Sequence, residues 1–346
     1  MTLPPTITWD EDSGTIVFID QTRLPGRVEI VKCRTVQRLV VAIRRLEIRG
    51  APALGVAGAF GIALAANNSR NSDPDGFLAA LKQEGDLIIG TRPTAINLSW
   101  GVMRVLRAVE RADSVSEMRE TAIREALAVA REDEACCHAI GDYGASLLPD
   151  QGTVLTHCNA GALACSAYGT ALGVIRSAVT QGKEIRVVAC ETRPLLQGAR
   201  LTAWELTQDG IDTTVITDSM AAALMQDGRI SCIVVGADRI TQDAVFNKIG
   251  TYMHAVCAKH HNVPFYVAAP VSTFDPERSA SDVVIEERSR EEVATCGART
   301  IVPQDAGVFN PSFDATPVEL VTAIITEKGV VNPPDLKAFI SRRTIT

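Results

Sequence analysis

A cysteine and an aspartate, each following a short apolar run, are the residues best suited to acid–base chemistry. Cys158 follows the run 153–156, and Asp238 follows the run 232–235. The pair could exchange protons with a substrate if burial raises the pKa of the carboxyl and a polar or cationic setting tunes the thiol. A small, inert, buried thiol is the competing interpretation, and residues 153–161 alone favour it slightly. We interpret His157 and Asn159 as supports of the turn at Cys158.

Three cations could anchor a phosphate group: Arg49, Arg92 and Lys248. The two arginines could bind it bidentately. Arg49 precedes Gly50, and Pro52 suits the first turn of the Ala- and Gly-rich helix that follows, so exposed backbone N–H groups there could bind an anion. An ordinary helix cap with a solvated arginine explains the same residues, and for Arg49 alone it is the better interpretation. A thiol, a carboxyl and phosphate anchors together suit proton transfer on a sugar phosphate.

The elements that position these residues alternate between strand and helix from Gly152 onward. Nearly continuous apolar runs with short connections are typical of a parallel sheet covered by helices. The predicted strands are 154–156, 186–190, 213–217, 232–235 and 265–268, and the predicted helices are 164–179, 195–208, 219–225 and 252–260. Ligands of such sheets bind beyond the carboxyl ends of the strands. Several of these ends carry acids, amides or cations, which indicates a pocket, although Asp218 and Ser219 could simply cap a helix.

The N-terminal part of the chain predicts a different architecture. Short β-like runs at 6–9, 14–19 and 28–31, separated by turns at 12–14 and 25–26, indicate a small antiparallel sheet. Helical patterns follow, one of them capped by Thr35 and the longest covering 114–141. We therefore predict an α/β protein with two domains. Residues 1–150 form a small sheet with helices, and residues 151–346 form a Rossmann-like, mostly parallel sheet covered by helices.

The composition and the missing motifs exclude several classes of protein. A net charge of -7 over 346 residues argues against nucleic-acid and anionic-membrane partners. The longest apolar stretch, 51–66, is too short for a bilayer span, and the first residues lack the pattern of a secretory signal. Nine scattered cysteines without a CxxC pair indicate reduced thiols in the cytoplasm and no metal site. There is no GxGxxG, P-loop, HExxH or GxSxG motif, so we expect no cofactor.

Ordered segments along nearly the whole chain resemble the methylthioribose-1-phosphate isomerase family, within the superfamily that includes the initiation factor 2B regulatory subunits. Each segment alone is a weak signal, but together and in order they are specific. The segments are 19–25, 48–53, 92–95, 157–159, 191–194, 196–206, 236–239, 247–251, 264–270, 285–288 and 309–314.

The resemblance implies a site and a reaction. Cys158 and Asp238 would be the catalytic pair of a metal-free, cofactor-free isomerase that converts an aldose 1-phosphate to the ketose 1-phosphate. The residues that would bind the substrate are Arg49, Gly50, Ala51, Arg92, Gln197, Asn247 and Lys248. Because the phosphate blocks the anomeric oxygen, ring opening needs assistance, for which Asp238 is a suitable donor. Cys158 would carry the proton between C2 and C1, with a hydride shift as the alternative. The resemblance also implies a homodimer.

Three alternatives stay open at this point. Ribose 1,5-bisphosphate or 5-deoxyribose 1-phosphate could replace 5-methylthioribose 1-phosphate as substrate, although the segment 20–25 resembles the methylthioribose branch. A non-catalytic regulatory subunit would need neither Cys158 nor Asp238, so the presence of both argues against it. One departure from the family lies between Asp238 and Asn247: the segment 239–246 is one residue shorter than the usual loop and lacks its Asn-Gly or Asp-Gly turn. It could alter the range of substrates.

Overall fold

A computed structural model describes residues 4–93 and 95–341. The chain packs as two compact units. Unit 1 contains the residues up to His138 together with Gly161–Gly169, and unit 2 contains Ala139–Ala160 and the residues from Thr170 onward. The units are defined by packing, and the domain boundary near residue 150 stays a prediction.

Unit 1 begins with a three-stranded antiparallel sheet of β1 (Ile7–Asp10), β2 (Thr15–Ile19) and β3 (Ile30–Cys33). The sheet forms because apolar residues alternate along the strands, which buries Ile7, Trp9, Ile16 and Phe18 on one face. The predicted turn at 12–14 is confirmed: the Gly14 N–H donates to the Asp10 carbonyl over 2.8 Å.

Five helices begin in unit 1. They are α1 (Val36–Arg44), α2 (Ala51–Asn68), α3 (Pro74–Ile89), α4 (Ile96–Val109) and α5 (Val115–Ala145). Thr35 caps α1 as predicted, because its hydroxyl accepts from the Arg38 N–H over 3.2 Å.

Helix α2 is longer than the apolar stretch from which it was predicted. It has 18 residues, so among the described residues it is long and apolar enough to cross a membrane, whereas the stretch 51–66 was predicted to be too short. However, 78% of α2 is buried inside the protein, as in a core helix. Glycines permit that burial: a Cβ at Gly101 of α4 would lie 2.0 Å from the Gly55 carbonyl oxygen of α2.

Unit 2 holds the remaining elements. The strands are β4 (Gln151–Thr156), β5 (Glu184–Cys190), β6 (Thr213–Ile216), β7 (Cys232–Val235), β8 (Arg239–Ile240), β9 (Ala244–Lys248), β10 (Phe265–Ala268), β11 (Thr295–Cys296), β12 (Arg299–Thr300), β13 (Phe313–Pro317), β14 (Ala323–Thr326) and β15 (Gly329–Val331). The helices are α6 (Ala171–Thr180), α7 (Ala203–Gln208), α8 (Ala221–Gln226), α9 (Thr251–His260), α10 (Arg290–Ala294) and α11 (Leu336–Ser341).

Seven of these strands form one sheet in the order β15-β14-β10-β7-β4-β5-β6. All neighbours pair in parallel except β14 and β15. Helices α6, α7 and α9 pack against its strands. The predicted α/β fold, with a Rossmann-like sheet and a small N-terminal antiparallel sheet, is confirmed.

Two predictions of local structure were wrong, and several strands were not predicted. The helix expected from residue 164 begins only at Ala171, because Tyr168 and Gly169 adopt φ of +62° and +90° and interrupt it. The α-helix expected from residue 195 begins at Ala203, after a π-helical turn at Gly198–Thr202. Strands β14 and β15 extend the sheet, and a second sheet of β13, β9 and β8 was not predicted.

Candidate active site

The parallel pairing of β4 with β7 brings Cys158 and Asp238 to one edge of the sheet. Leu155 lies opposite Ile233, and the Thr156 hydroxyl donates to the Val234 carbonyl over 2.8 Å. The carboxyl ends of both strands therefore lie at the same edge of the sheet. Cys158 is two residues beyond β4, and Asp238 is three residues beyond β7. Cys158 is buried, and Asp238 is half-buried.

The backbone of Cys158 is held in an uncommon conformation. Its φ is +64°, in the left-handed region that costs a non-glycine residue about 1–3 kcal/mol. Two threonines fix it: the Cys158 N–H donates to the Thr192 hydroxyl over 2.8 Å, and the Thr202 hydroxyl donates to the Cys158 carbonyl over 2.6 Å. The thiol therefore projects from a constrained turn and not from a regular strand.

A buried polar network supports this turn from the next residue. The Asn159 amide donates to the Thr202 hydroxyl over 3.2 Å and to the Glu205 carboxylate over 2.9 Å. The other oxygen of Glu205 accepts from Arg176 over 2.9 Å. Asn159 therefore supports the turn in this structure. Arg176 neutralises the buried Glu205 carboxylate, which would otherwise be an unpaired charge in the interior.

Two histidines tie the Cys158 turn to the start of α9. His157 Nε2 lies 2.8 Å from the Ile249 carbonyl, which can only accept, so this nitrogen carries the hydrogen. His157 Nδ1 then accepts from His254 Nε2 over 3.2 Å. Burial lowers the pKa of His157 to about 4 and that of His254 to about 3. Both rings are therefore neutral at pH 7, and they act as a fixed structural link.

Asn247 and Lys248 lie on β9 and not in a loop. The short segment that follows Asp238 forms a hairpin of β8 and β9, closed by the Thr241 N–H donating to the Ala244 carbonyl over 2.9 Å. The Asn247 amide donates to the Thr251 hydroxyl over 3.0 Å. Lys248 is buried, donates to the Ser312 carbonyl over 2.8 Å and lies 4.6 Å from the Phe313 ring centre.

Gln197 carries a polar atom that suits a ligand. The side chain is only 6% exposed, yet its Oε1 accepts no hydrogen bond within the described part of the chain. An orphaned buried acceptor costs free energy unless something donates to it. The neighbouring Gly198 lets this segment approach β5 closely, since a Cβ there would lie 1.7 Å from the Cys190 carbonyl oxygen. A substrate hydroxyl is a suitable donor to Gln197.

Arg49, Gly50 and Ala51 lie at the N-terminal end of α2 in unit 1. Gly50 precedes the helix with φ of +91°, and within residues 4–93 and 95–341 no side-chain hydrogen bond caps this helix end. A Cβ at Gly50 would lie 2.5 Å from the Cα of Ala164, so both the conformation and the close contact require glycine. Arg49 Nε donates to the Gln21 amide oxygen over 3.1 Å. The uncapped N–H groups beside a guanidinium have the chemistry of an anion site.

Arg92 lies in the turn before α4, at the same end of unit 1. Gly55 of α2 packs against Asn97 and Gly101 near the start of α4, so the two helices begin side by side. Arg92 is half-buried. Unit 1 therefore brings its two candidate phosphate-binding arginines to one end, as unit 2 brings Cys158 and Asp238 to one sheet edge.

Two clusters contain side chains of the types that bind metals. The first cluster is His157, Cys190 and His254, and the second is Asp133, Cys137 and Cys165. Within each cluster the donor atoms lie within 4.8 Å of one another. Burial raises the pKa of Cys190, and a hydrogen bond with Cys165, together with burial, raises that of Cys137. Metal binding requires thiolates and free imidazole lone pairs. The rings of His157 and His254 and the carboxylate of Asp133 are already hydrogen-bonded within the protein, and we assign these groups no metal-binding role.

Sequence reasoning missed the partners of the site residues. Thr192, Thr202 and His254 were not singled out, and Asp218 was interpreted as a possible helix cap. Asp218 instead accepts from the Thr192 and Arg193 N–H groups over 2.8 and 2.7 Å. The polar residues at the ends of β5 and β6 were the only available signal, because these contacts join distant parts of the chain.

Comparison with known proteins identifies relatives of this chain. Residues 47–333 match the initiation factor 2 subunit family. A relative from Archaeoglobus fulgidus, provisionally named methylthioribose-1-phosphate isomerase, is 57% identical over 95% of this chain and 96% of its own. The 5-deoxyribose 1-phosphate isomerase of Moorella thermoacetica is 52% identical over 95% and 94%. The crystal structure of 5-methylthioribose 1-phosphate isomerase from Pyrococcus horikoshii superposes with a TM-score of 0.92 at 42% identity, covering 99% of this chain and 96% of that one.

Proposed function

Because the chain belongs to the initiation factor 2 subunit family, and resembles isomerases of that family over nearly its whole length, we propose that it converts 5-methylthioribose 1-phosphate to 5-methylthioribulose 1-phosphate. The observation that carries the proposal is the placement of Cys158 and Asp238 beyond adjacent strands of one sheet. A thiol on a constrained turn and a half-buried carboxyl at one edge suit an acid–base pair. A regulatory subunit has no use for this arrangement.

The proposed reaction uses both groups twice. The Cys158 thiolate takes the proton from C2, the freed electron pair forms a C1–C2 double bond, and the bond from C1 to the ring oxygen breaks. Asp238 donates its proton to that oxygen, which gives an open-chain enol that keeps its phosphate. Cys158 then returns the proton to C1, while the enol hydroxyl passes its proton to the Asp238 carboxylate. The ketose forms and both groups regain their starting states.

The remaining residues have proposed roles in binding. Arg49 and Arg92, with the N–H groups at Gly50 and Ala51, and Lys248 supply the positive charge that a phosphate requires. Gln197 would accept from a sugar hydroxyl through its orphaned oxygen. The Asn247 amide donates to the Thr251 hydroxyl, and its oxygen would accept from a second sugar hydroxyl.

Product analysis tests the substrate. We expect NMR to detect the ketose after incubation with 5-methylthioribose 1-phosphate, and slower turnover of 5-deoxyribose 1-phosphate and ribose 1,5-bisphosphate. The deoxy sugar is the second candidate because the Moorella relative is named for it. Faster turnover of either rival would replace the substrate, and turnover of none would favour a regulatory subunit. In D₂O, deuterium at C1 supports proton transfer through a thiol that exchanges with solvent, because a hydride shift would introduce none.

Substitution tests the two catalytic roles. We expect Cys158→Ser and Asp238→Asn each to reduce kcat by about 10²- to 10⁴-fold, as loss of a general acid or base does, with the fold retained by circular dichroism. Cys257→Ser on α9 is a matched control that should keep wild-type turnover. Near-wild-type rates in either active-site variant would remove that residue from the mechanism.

We also propose a cytoplasmic homodimer. A net charge of -7 fits a small-molecule enzyme that has no nucleic-acid partner. Light scattering on the purified protein measures the mass directly, and a monomeric mass would reject the dimer.

A further inference from the structure

Three neighbouring strands of the large sheet end in residues that are hydrogen-bonded in series. Cys158, Thr192 and Asp218 each lie two residues beyond β4, β5 and β6, respectively. The Asp218 carboxylate accepts from the Thr192 N–H over 2.8 Å, and the Thr192 hydroxyl accepts from the Cys158 N–H over 2.8 Å. We call this series, Asp218–Thr192–Cys158, the strand-end relay. It runs across the sheet and ends at the candidate catalytic thiol.

The relay contains two residues in conformations that need external support. Thr192, like Cys158, has φ of +64°, and for a β-branched residue this value is an outlier. Such conformations persist only where the surrounding contacts over-determine them. Thr192 is fully buried, and its hydroxyl also donates to the Cys190 carbonyl over 3.1 Å. Its hydroxyl is therefore fixed in direction, with the lone pair aimed at the Cys158 N–H.

We propose that Thr192 is a positioning residue, which sets the backbone of Cys158 and so the place of its thiol, with Asp218 holding Thr192 from the far side. The inference rests on the proposed catalytic role of Cys158. The left-handed turn directs the Cα–Cβ bond of Cys158, and a change of its φ would move the sulfur away from the substrate. A base that must reach both C2 and C1 tolerates little displacement, since misplacement by about 1 Å can cost about 100-fold in rate.

A purely structural role makes a different prediction. If the relay only caps the sheet edge, losing the Thr192 hydroxyl would lower stability and leave the thiol of the folded protein unchanged. Positioning instead predicts a change in the chemistry of Cys158 itself. The rate at which iodoacetamide alkylates Cys158, followed by mass spectrometry of its peptide, reports on the thiol without any substrate.

The test compares two substitutions at one position. Thr192→Val keeps the β-branched shape and removes the hydroxyl, whereas Thr192→Ser keeps the hydroxyl. We expect Thr192→Val to lower kcat by about 10- to 100-fold with KM changed less than about 3-fold, and to change the alkylation rate of Cys158 several-fold. Thr192→Ser should restore both towards wild type. Thr207→Val is the matched control, because Thr207 is exposed on α7 and its hydroxyl bonds only its own helix.

The outcomes separate this inference from the proposed function. Wild-type kcat and alkylation in folded Thr192→Val would overturn the positioning role even if the enzyme is active. A changed alkylation rate in a protein that turns over none of the three sugars would support the relay and reject the isomerase. If Thr192→Val does not fold, Asp218→Ala, which removes the acceptor of the Thr192 N–H, tests the relay one step further along. An unchanged alkylation rate in that variant would also overturn it.

Discussion

Each compact unit contains an arginine that pairs with two carboxylates, but the two sets differ in burial. In unit 1, Arg104 of α4 pairs with Glu125 and Glu132, and the three side chains are 24%, 27% and 60% exposed. In unit 2, Arg176 of α6 pairs with Glu205 and Asp209, and the three are 5%, 0% and 10% exposed. The surface set lies outside an apolar core around α2, whereas the buried set lies inside unit 2.

The position of the buried set explains the difference. Glu205 accepts from Asn159, the residue after Cys158, so the buried charges are one hydrogen bond from the candidate catalytic turn. Burying three charges incurs a desolvation cost that hydrophobic side chains of the same size would avoid. In unit 2 the buried charges fix the turn that follows β4, through the hydrogen bond between Glu205 and Asn159. Unit 1 supplies a rigid apolar frame in which the candidate binding groups lie at helix starts, which need little side-chain support.

The largest effect expected from this comparison is on stability. Arg176→Met should lower the free energy of unfolding by about 3–5 kcal/mol, because it removes the cation that neutralises two buried carboxylates. Arg104→Met removes the same charge from the surface set and should cost about 0–1 kcal/mol. Urea denaturation of both variants measures the contrast. Equal losses would mean that burial does not distinguish the two sets.

The second effect is on substrate binding, where unit 2 again supplies the more buried cation. Lys248 is 9% exposed, whereas Arg49 and Arg92 are half-buried. Lys248→Ala should raise KM by about 10- to 100-fold, since a hydrogen bond to a charged group contributes about 1.5–3 kcal/mol. Steady-state kinetics measure this change, with Lys259→Ala on the exposed side of α9 as the control. An unchanged KM would remove Lys248 from the site.

The sequence predicted the parts of the fold that local pattern determines. Strands β7 and β10 were predicted with the bounds that they have, because continuous apolar runs between polar turns have few other solutions. The helix predicted from residue 164 failed because its Ala-rich composition suits a helix, while the contact of Gly169 with Gly161 requires a tight loop. Long-range packing overrode local propensity there.

The candidate site likewise contains residues that the sequence could predict and residues that it could not. Cys158 and Asp238 could be found because strand ends are visible in a sequence. Their supports could not, since Thr192 and Thr202 are 34 and 44 residues from Cys158, and His254 is 97 residues from His157. No periodicity links residues at such separations. Family resemblance identified the chemical groups, and only the structure could supply the groups that hold them.

The smallest effect concerns the dependence of stability on pH, which should have opposite signs in the two units. The folded pKa values of His157 and His254 in unit 2, about 4 and about 3, lie below the unfolded value of 6.5, mainly because both rings are buried. The unfolded chain therefore binds more protons, and this stability is lost as the pH falls from 6.5 towards 4. Burial raises the folded pKa of Asp133 in unit 1 to about 6, so its contribution increases over the same fall in pH. Asp314 in unit 2 has the same sign as Asp133 and offsets part of the histidine effect.

A substitution that removes one titratable histidine isolates its share of this pH dependence. The amide of Gln in His254→Gln can still donate to His157 Nδ1 but does not titrate, so this variant should lose less stability than wild type between pH 7 and pH 5. Urea denaturation at both pH values measures the difference. His260→Gln changes an exposed histidine of the same helix and should follow wild type. If His254→Gln shows the wild-type dependence, His254 contributes nothing to the acid sensitivity of unit 2, and His157 would account for the histidine share.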